Sequence, residues 1–377
     1  MPVSTPRPGG PDGGPGAAEA PPPQAVVLGR VGADLYPLQL ETPLEAVRAF
    51  ARFVGGFAGN VATGLARLGV STAIISAVGD DGHGRFVRNF LASEGVDVRW
   101  LSTHPSLRTA LAFCEAWPPD HFPITFYRTP TCPDWELRPE SMPLGAIGAA
   151  RLLYVTGTGL AREPSRAATM AAMAAGPDAG RGPDRLHGGA GGVVGILLDL
   201  DWRQQLWPSA DEYAAAVAAA VALADVVVGG AAEFEAAGLT PAEVLRRGPR
   251  VAVVKRGADG ATLLSAAGER HVAGLPVPVT NGLGAGDAFA AAFGAALLEG
   301  RHPEEAVRRG NAAGAVVATR LSCSLATPTR DELEALLAGG SVRDGVVHDT
   351  AGRALAPAST EAVAGAVGGG GTPRATP

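Results

Sequence analysis

Three glycines and a carboxylate lie together in the stretch TNGLGAGDAF, where Gly282, Gly284 and Gly286 are followed directly by Asp287. An alanine-rich helical pattern begins at the same point. Backbone N–H groups at a helix N-terminus form an anion site, and a carboxylate beside such a site can act as a general base. Asp and Gly are also ordinary helix-start residues. The stretch alone therefore leaves a catalytic turn and a plain helix cap both open.

A second glycine-rich segment, VGGFAGNVATGLARLG, lies far upstream. Gly55 and Gly56 would let a ligand approach the backbone closely, and Asn60 can both donate to and accept from a sugar hydroxyl. Asp34, soon after the first predicted strand, is a third candidate contact for a polyol. A helix cap for Asn60 and a turn role for Asp34 are the structural alternatives.

The nucleotide motifs narrow the chemistry. The chain has no G-x-x-x-x-G-K-[ST], and no G-x-G-x-x-G follows its first predicted strand, so neither a P-loop nor a nicotinamide-binding Rossmann site is indicated. In phosphoryl transfer a protein mainly positions groups and stabilises negative charge. The N–H groups of Gly284, Ala285 and Gly286 would supply that stabilisation, and Asp287 would supply a base for an attacking hydroxyl.

Composition excludes several classes of partner. The chain has 377 residues, 46% of them hydrophobic, and a formal net charge of −6, so no basic footprint for nucleic acid is indicated. Its three cysteines fit neither a zinc spacing nor a disulfide framework, which favours a reducing compartment. The N-terminus lacks the apolar core of a signal peptide, and no apolar run is long enough to span a bilayer. We therefore expect a cytoplasmic protein without membrane or nucleic-acid partners.

The element pattern predicts one folded α/β domain. Residues 1–23 and 339–377 are rich in Pro and Gly and are expected to be disordered tails, and 174–192 is expected to be a surface loop. Between the tails, over 24–338, continuous apolar strands alternate with helical patterns. This alternation predicts a doubly wound, mainly parallel sheet covered by helices on both faces.

Two segments break that alternation. Residues of about 30–42 and 107–135 alternate apolar with polar side chains, and no helical pattern separates their strand-like parts. Such a pattern is typical of an antiparallel sheet that is solvated on one side. A small sheet of this kind, set against the large one, would make a lid over a site.

The two glycine-rich segments together carry a family resemblance. GGFAGNVATGLARLG and NGLGAGDAFAAAF resemble the two signatures of the ribokinase-like (PfkB) carbohydrate kinases, and the resemblance extends over roughly 24–338. It implies a ribokinase-like fold, ATP and Mg²⁺ as cofactors, and a monovalent cation such as K⁺. It also implies that Asp287 is the catalytic base, that 284–286 form an anion hole, and that the lid joins two subunits in a homodimer.

Shorter runs are similar to those of family members that phosphorylate sugar acids, among them GRVGADLYPLQL, FYRTPT and DLDWRQQLW. The implied activity is phosphorylation of the terminal hydroxyl of 5-dehydro-2-deoxy-D-gluconate, an intermediate of myo-inositol breakdown. Arg128 and Arg203 match positions that hold the substrate carboxylate, in keeping with the planar fork that Arg offers a carboxylate. A solvated lid residue and a surface ion pair are the structural alternatives for these two.

The resemblance assigns the remaining roles. Asp34, Gly56 and Asn60 match positions that contact sugar hydroxyls. The positions implied for the nucleotide are Lys255, Gly257 and Gly260 of KRGADG, together with Asn311 near the adenine.

The chain departs from the family pattern at two places. Phe57 follows the glycine pair where the family has small polar residues, and Gly230 replaces the Asn of an Asn-x-x-Glu motif that organises Mg²⁺. Glu233 of that motif is retained and is expected to act on the metal through water. These departures leave two alternatives: a kinase for another sugar or a 2-keto-3-deoxy sugar acid, and a non-catalytic relative that binds sugar or nucleotide.

Overall fold

A nine-stranded sheet forms the centre of the protein in a computed structural model that describes residues 21–177 and 194–357. Elements are numbered along the chain, and the order across this sheet is β13-β12-β11-β10-β9-β8-β1-β4-β5. All neighbours pair in parallel except β11 with β12 and β12 with β13. The strands are β1 (Ala25–Leu28), β4 (Thr72–Gly79), β5 (Leu101–His104), β8 (Leu152–Thr156), β9 (Gly195–Asp199), β10 (Val226–Gly230), β11 (Val251–Lys255), β12 (Ala261–Ser265) and β13 (Gly268–Val272).

Helices cover both faces of this sheet. Successive residues of a strand point to opposite faces, so Val27 belongs to the core on one side, with Phe293, while Val26 belongs to the core on the other, with Tyr213. The doubly wound, mainly parallel architecture predicted from the apolar runs is therefore confirmed. The helices are α1 (Phe57–Arg67), α2 (Gly82–Ser93), α3 (Leu144–Ala149), α4 (Ser165–Ala174), α5 (Ala210–Val221), α6 (Ala231–Ala236), α7 (Pro241–Arg246), α8 (Ala285–Leu298), α9 (Pro303–Ala318) and α10 (Arg330–Leu337).

A second sheet, the lid sheet, has the strand order β3-β2-β6-β7. Pairing is antiparallel between β2 and β3 and between β6 and β7, but parallel between β2 and β6, so the sheet predicted to be antiparallel is mixed. One of its strands, β3, also lies outside the two predicted lid segments. The strands are β2 (Gly32–Pro37), β3 (Phe50–Gly55), β6 (Leu111–Cys114) and β7 (Ile124–Tyr127).

The C-terminal segment corrects one prediction. Disorder was expected from residue 339, but β14 (Ser341–Arg343) and β15 (Val346–His348) form an antiparallel hairpin. Val347 of this hairpin is 0% exposed and belongs to the main core. This buried side chain anchors a segment whose overall composition predicted disorder. Residues 1–20 and 358–377 lie outside the described residues, as does most of the predicted loop at 174–192.

The segment before the glycine-rich turn is apolar but irregular. LPVPVT, residues 275–280, reads as a strand by its apolar content but forms no regular element. Pro276 and Pro278 lack the N–H group that a sheet ladder needs, which accounts for the difference.

Candidate active site

The turn that begins α8 presents unpaired backbone donors. Gly284 precedes the helix with φ +83°, a conformation that favours glycine, and a Cβ there would lie 2.8 Å from Cys323. Among the described residues, the N–H of Gly286 has no acceptor, as the first N–H groups of a helix require partners from outside it. The N–H of Ala285 donates to the carbonyl of Gly282 at 3.4 Å, and the anion site at 284–286 stays a prediction.

Asp287 lies in the first turn of α8 and is held by α1. Its Oδ2 accepts a hydrogen bond from Asn60 Nδ2 at 2.6 Å, and Asn60 Oδ1 accepts one from Ser324 Oγ at 2.6 Å. Burial raises the pKa of Asp287, and the hydrogen bond from Asn60 opposes that rise. The structure thus brings the two glycine-rich segments of the sequence into direct contact and leaves Asp287 suited to accept a proton.

Asp34 lies on β2 beside β3, in a space left by Gly55. A Cβ on Gly55 would lie 1.9 Å from Asp34 Oδ2, so no larger residue fits opposite this carboxylate. Burial raises the pKa of Asp34 to about 7, with Arg30 opposing the rise. Gly55 therefore leaves space for the side chain of Asp34. It does not itself line the pocket, although the motif suggested a close approach of ligand to its backbone.

A pocket that is open to solvent lies between the lid sheet and the N-terminus of α8. The charged part of its lining consists of two carboxylates, Asp34 and Asp287, and three arginines, Arg30, Arg128 and Arg203. The predicted site residues that line it are Asp34, Gly56, Asn60, Arg128, Arg203, Gly284 and Asp287.

Phe57 does not crowd this pocket. The side chain is 1% exposed and packs in the core of the large sheet, where its ring centroid lies 5.2 Å from that of Tyr154. The departure from the family pattern at this position therefore changes the packing beneath α1 and leaves the pocket walls unaltered.

Arg128 is enclosed in the pocket wall with a charge partner of its own. It forms an ion pair with Asp134, and its guanidinium carbon lies 4.7 Å from the ring centroid of Trp135. Arg128 is 5% exposed, and its Nε has no hydrogen-bond partner among the described residues. The solvated lid residue considered from the sequence is therefore excluded.

Arg203 belongs to a network that the sequence did not predict. Its Nη2 lies 3.2 Å from Asp201 Oδ1, and Asp201 also forms an ion pair with Arg30 and accepts from Thr158 Oγ1 at 2.7 Å. Burial opposes ionisation, but Arg30 and Arg203 lower the pKa of Asp201 to about 2. Arg30, Thr158 and Asp201 each follow the carboxyl end of a parallel strand, the place where ligands bind in open α/β sheets, and this rule would have identified them.

Lys255 lies close to the glycine-rich turn that begins α8. Its Nζ is 2.9 Å from Asp199 Oδ2, and a Cβ on Gly286 would lie 3.5 Å from that Nζ. Burial would lower the pKa of Lys255, but Asp199 raises it, so the ammonium stays charged. The free N–H groups of α8 and this cation therefore converge, which suits a phosphate group.

The other residues assigned to the nucleotide lie on the same edge. Gly257 and Gly260 form the turn between β11 and β12. Asn311 donates from Nδ2 to the carbonyls of Val272 and Ala273, both at 3.1 Å, so its side chain joins α9 to the end of β13. The side chain of Asn311 is therefore occupied by backbone contacts, and an adenine contact from it stays a prediction.

Glu233 caps α6. Its Oε2 accepts a hydrogen bond from the backbone N–H of Gly230 at 2.6 Å, and its Oε1 lies 3.8 Å from Arg203 Nη1. Within residues 21–177 and 194–357 no group of three His, Cys, Asp or Glu side chains is placed to hold a metal ion. Mg²⁺ usually keeps several waters and binds one or two carboxylates plus substrate phosphates, and one carboxylate near a phosphate site fits that mode.

Comparisons with known proteins agree with this geometry. The profile of the pfkB family of carbohydrate kinases matches residues 23–330. The 5-dehydro-2-deoxygluconokinase of Shouchella clausii is 31% identical over 83% of this chain and 94% of its own length. The enzyme of the same name from Photobacterium profundum is 32% identical over 82% of this chain and 93% of its own length.

Solved structures give the same result. A PfkB protein from Polaromonas sp. JS666 is 29% identical, with a TM-score of 0.69 over 83% of this chain and 99% of that chain. A fructokinase double mutant from Vibrio cholerae, bound to fructose, ADP and potassium, is 27% identical, with a TM-score of 0.70 over 85% of this chain and 100% of that chain. In the part of the chain that the structure describes, the helices are too short or too polar to cross a membrane.

Proposed function

Because this chain belongs to the pfkB family of carbohydrate kinases, we propose that it transfers the γ-phosphoryl group of ATP to the terminal hydroxyl of a sugar acid. The proposed substrate is 5-dehydro-2-deoxy-D-gluconate, an intermediate of myo-inositol degradation. One observation carries the proposal: the carboxylate of Asp287, held by Asn60, faces an arginine-lined pocket at the N-terminus of α8.

Asp287 is the group that accepts the proton of the attacking hydroxyl. A general base must lie within hydrogen-bond reach of that proton. The carboxylate of Asp287 lines the pocket in which the sugar would bind. Asn60 fixes one carboxylate oxygen, so the other is free to face the hydroxyl. Asp34 and the backbone at Gly56 orient the sugar from the lid side.

The N–H groups of 284–286 and the ammonium of Lys255 bind the phosphoryl oxygens on the far side of the hydroxyl. The turn of Gly257 and Gly260 supports the rest of the nucleotide. Mg²⁺, when bound with ATP, neutralises phosphate charge, and Glu233 holds it through water. A monovalent cation such as K⁺ is a further proposed ligand.

The acid group of the substrate is assigned to the arginines. Arg128 and Arg203 both line the pocket, and Arg offers a carboxylate two parallel hydrogen bonds. The curated relatives at 31% and 32% identity are named for a sugar-acid substrate, which supports an acid over a neutral sugar.

A substrate panel tests this function. Purified protein is incubated with ATP and Mg²⁺ and one of several acceptors: 5-dehydro-2-deoxy-D-gluconate, 2-keto-3-deoxy-D-gluconate, fructose or ribose. ADP release and phosphorylated product are both measured, with the Asp287→Asn variant as the control for contaminating kinases. We expect the highest kcat/KM for 5-dehydro-2-deoxy-D-gluconate.

The same panel decides between the proposal and its alternatives. A higher kcat/KM for another acceptor would assign a different sugar or sugar acid. The replacement of the family Asn by Gly230 favours the other alternative, a non-catalytic binding protein. Absence of product with every acceptor, while sugar acid and ATP still bind, would establish that alternative.

We further propose a cytoplasmic homodimer that forms through the lid sheets. Leu38 and Leu40, which follow β2, and Tyr127 on the edge strand β7 are exposed large hydrophobic residues. Apolar side chains at a sheet edge are typical of an interface. Light scattering after gel filtration would detect the dimer, and Tyr127→Lys should shift it toward monomer.

A further inference from the structure

Arg30 lines the pocket, but neither the sequence motifs nor the family resemblance assigned it a role. It follows β1 at the carboxyl end of the strand, and its side chain is 10% exposed. Its guanidinium forms an ion pair with Asp201, which follows β9. Arg203, two residues further along the chain, approaches the same carboxylate at 3.2 Å. Two arginines of the pocket therefore share one buried anchor.

Both arginines keep hydrogen-bond donors that the protein does not use. A guanidinium carries five N–H donors. In Arg30, Nη1 donates to Thr158 and Asp201, and Nη2 donates to Asp201 at 3.3 Å. In Arg203, Nη1 donates to the carbonyl of Trp202 at 3.0 Å. Among the described residues, the Nε–H of neither arginine has an acceptor, so each can bind a ligand oxygen as well as its anchor.

The backbone of Asp201, which anchors both arginines, has an uncommon conformation. Asp201 adopts φ +39°, a left-handed conformation that is uncommon for residues other than glycine. It is 3% exposed, and its N–H donates to Asp199 Oδ1 at 3.1 Å. Such conformations persist where the surroundings fix them, and they concentrate at ligand sites.

Charge distinguishes this pair from the third arginine of the pocket. Arg128 has Asp134 as a close partner of its own. Arg30 and Arg203 share Asp201, and the only other carboxylate paired with Arg203 among the described residues is Glu233, at 3.8 Å. Each guanidinium of the pair therefore shares its closest carboxylate with the other, whereas Arg128 has a carboxylate of its own.

We propose that Arg30 and Arg203, positioned by Asp201, form an oxyanion clamp that binds the carboxylate or the phosphoryl group of a ligand. Two guanidinium groups fixed side by side match the planar oxygens of either group. The place of the clamp in catalysis rests on the proposed kinase function. Its ability to bind an oxyanion does not, because the donors exist whatever the reaction.

The experiment measures binding without turnover. Titration calorimetry gives the Kd of three probes: D-gluconate with a carboxylate, D-glucitol 6-phosphate with a phosphate, and D-glucitol with neither. The proteins compared are the unmodified chain, Arg30→Met, Arg30→Lys and Arg67→Met. Arg67 is the matched control, because it is similarly buried and ion-paired to Glu94 but does not line the pocket.

We expect Arg30→Met to weaken at least one anionic probe about tenfold or more, with D-glucitol unchanged. Arg30→Lys keeps the positive charge but not the two parallel N–H donors, so its loss of affinity for the anionic probe should be intermediate. The Lys variant also tests the proposal if the Met variant fails to fold. A loss confined to D-gluconate identifies the carboxylate as the bound group, and a loss confined to D-glucitol 6-phosphate identifies the phosphoryl group.

Three results would each overturn the clamp. The first is that the unmodified protein binds neither anionic probe more tightly than D-glucitol. The second is that Arg67→Met produces the same loss as Arg30→Met, and the third is that Arg30→Met weakens the binding of D-glucitol equally. Because these titrations need no ATP and no acceptor, they stand even if the substrate panel gives no product.

Discussion

Two groups of carboxylates lie in and beside the pocket, and they differ in their partners. On the sugar side, Asp34 and Asp287 have no ion pair among the described residues, and Asp287 has only the amide of Asn60. At the end of β9, Asp199 pairs with Lys255, and Asp201 pairs with two arginines. Two arginines lower the pKa of Asp201 to about 2, so this carboxylate stays ionised and positions its cations. One lysine does not outweigh burial at Asp199, where the pKa rises to about 7, as it does at Asp34.

The largest effect is expected from a substitution that removes the proposed base, Asp287, from the sugar side. Asp287→Asn keeps the size of the side chain but not its basicity, so we expect kcat to fall by about 100-fold or more. Binding of the sugar should be largely kept. Steady-state kinetics with calorimetry of the same variant measures both. Near-normal turnover by a folded variant would show that Asp287 is not the base.

The next effect tests the cations of the pocket. Changing Arg128 or Arg203 to Met should weaken binding of the sugar acid by about 2 kcal/mol or more, because each removes a charged partner of a carboxylate. Activity on a neutral sugar should change much less. Kd values for an acid and a neutral sugar separate the cases, and equal losses on both would make the two arginines structural.

A smaller effect concerns the metal. Gly230 has φ −77° and ψ 164°, and a Cβ there would meet only Glu233 at 3.6 Å, so the backbone and the space both accept a side chain. Groups that orient metal ligands typically change affinity about tenfold or more. Gly230→Asn should therefore lower the Mg²⁺ concentration for half-maximal activity about tenfold.

A Mg²⁺ titration of both proteins at saturating ATP checks this change. Gly230→Ala is the matched control, since it adds a Cβ but no oxygen donor. Superimposed curves for the unmodified protein and the Asn variant would mean that the site organises its metal without this residue.

The smallest effect concerns Asp34 and pH. The pKa of Asp34 in the folded protein, about 7, lies above its unfolded value of 3.8. Folding therefore favours the protonated form, and the stability contribution present at low pH is lost as the pH rises through about 4 to 7. The Asp34→Asn variant should not lose stability in this way, because an amide does not ionise in this pH range.

We expect the difference in unfolding free energy between Asp34→Asn and the unmodified protein to shift in favour of the variant by about 1 kcal/mol or more between pH 5 and pH 8. Denaturant titrations at the two pH values measure it. A difference that does not change with pH would place the proton on another group.

The large sheet could be predicted from the sequence because its central strands, such as β1, β8, β9 and β10, are apolar runs buried on both faces. The lid sheet could be predicted only in part. Arg52, in the middle of β3, lies over the ring of Phe86, so a charged residue interrupts the apolar pattern of a real strand. The C-terminal hairpin was missed because only short strands around Val342 and Val347 carry its burial.

The glycine turn with Asp287 at the start of α8 could also be predicted, because these residues are contiguous in the sequence and form one local motif. The pairing of residues within the clamp could not. Arg30 and Asp201 lie 171 positions apart, and no local pattern links them. Only the parallel pairing of strands, which places the ends of β1 and β9 on one edge of the sheet, brings them together.

Gly56 joins the lid sheet to the catalytic base through a single residue. It stands between the end of β3 and the start of α1 with φ +81°, and Asn60, which holds Asp287, lies one turn further on. Any change in the position of β3 would therefore reach the amide of Asn60, and through it the carboxylate of Asp287, across this one residue. In the proposed kinase, this connection would couple the position of the lid to the orientation of the proton-accepting oxygen.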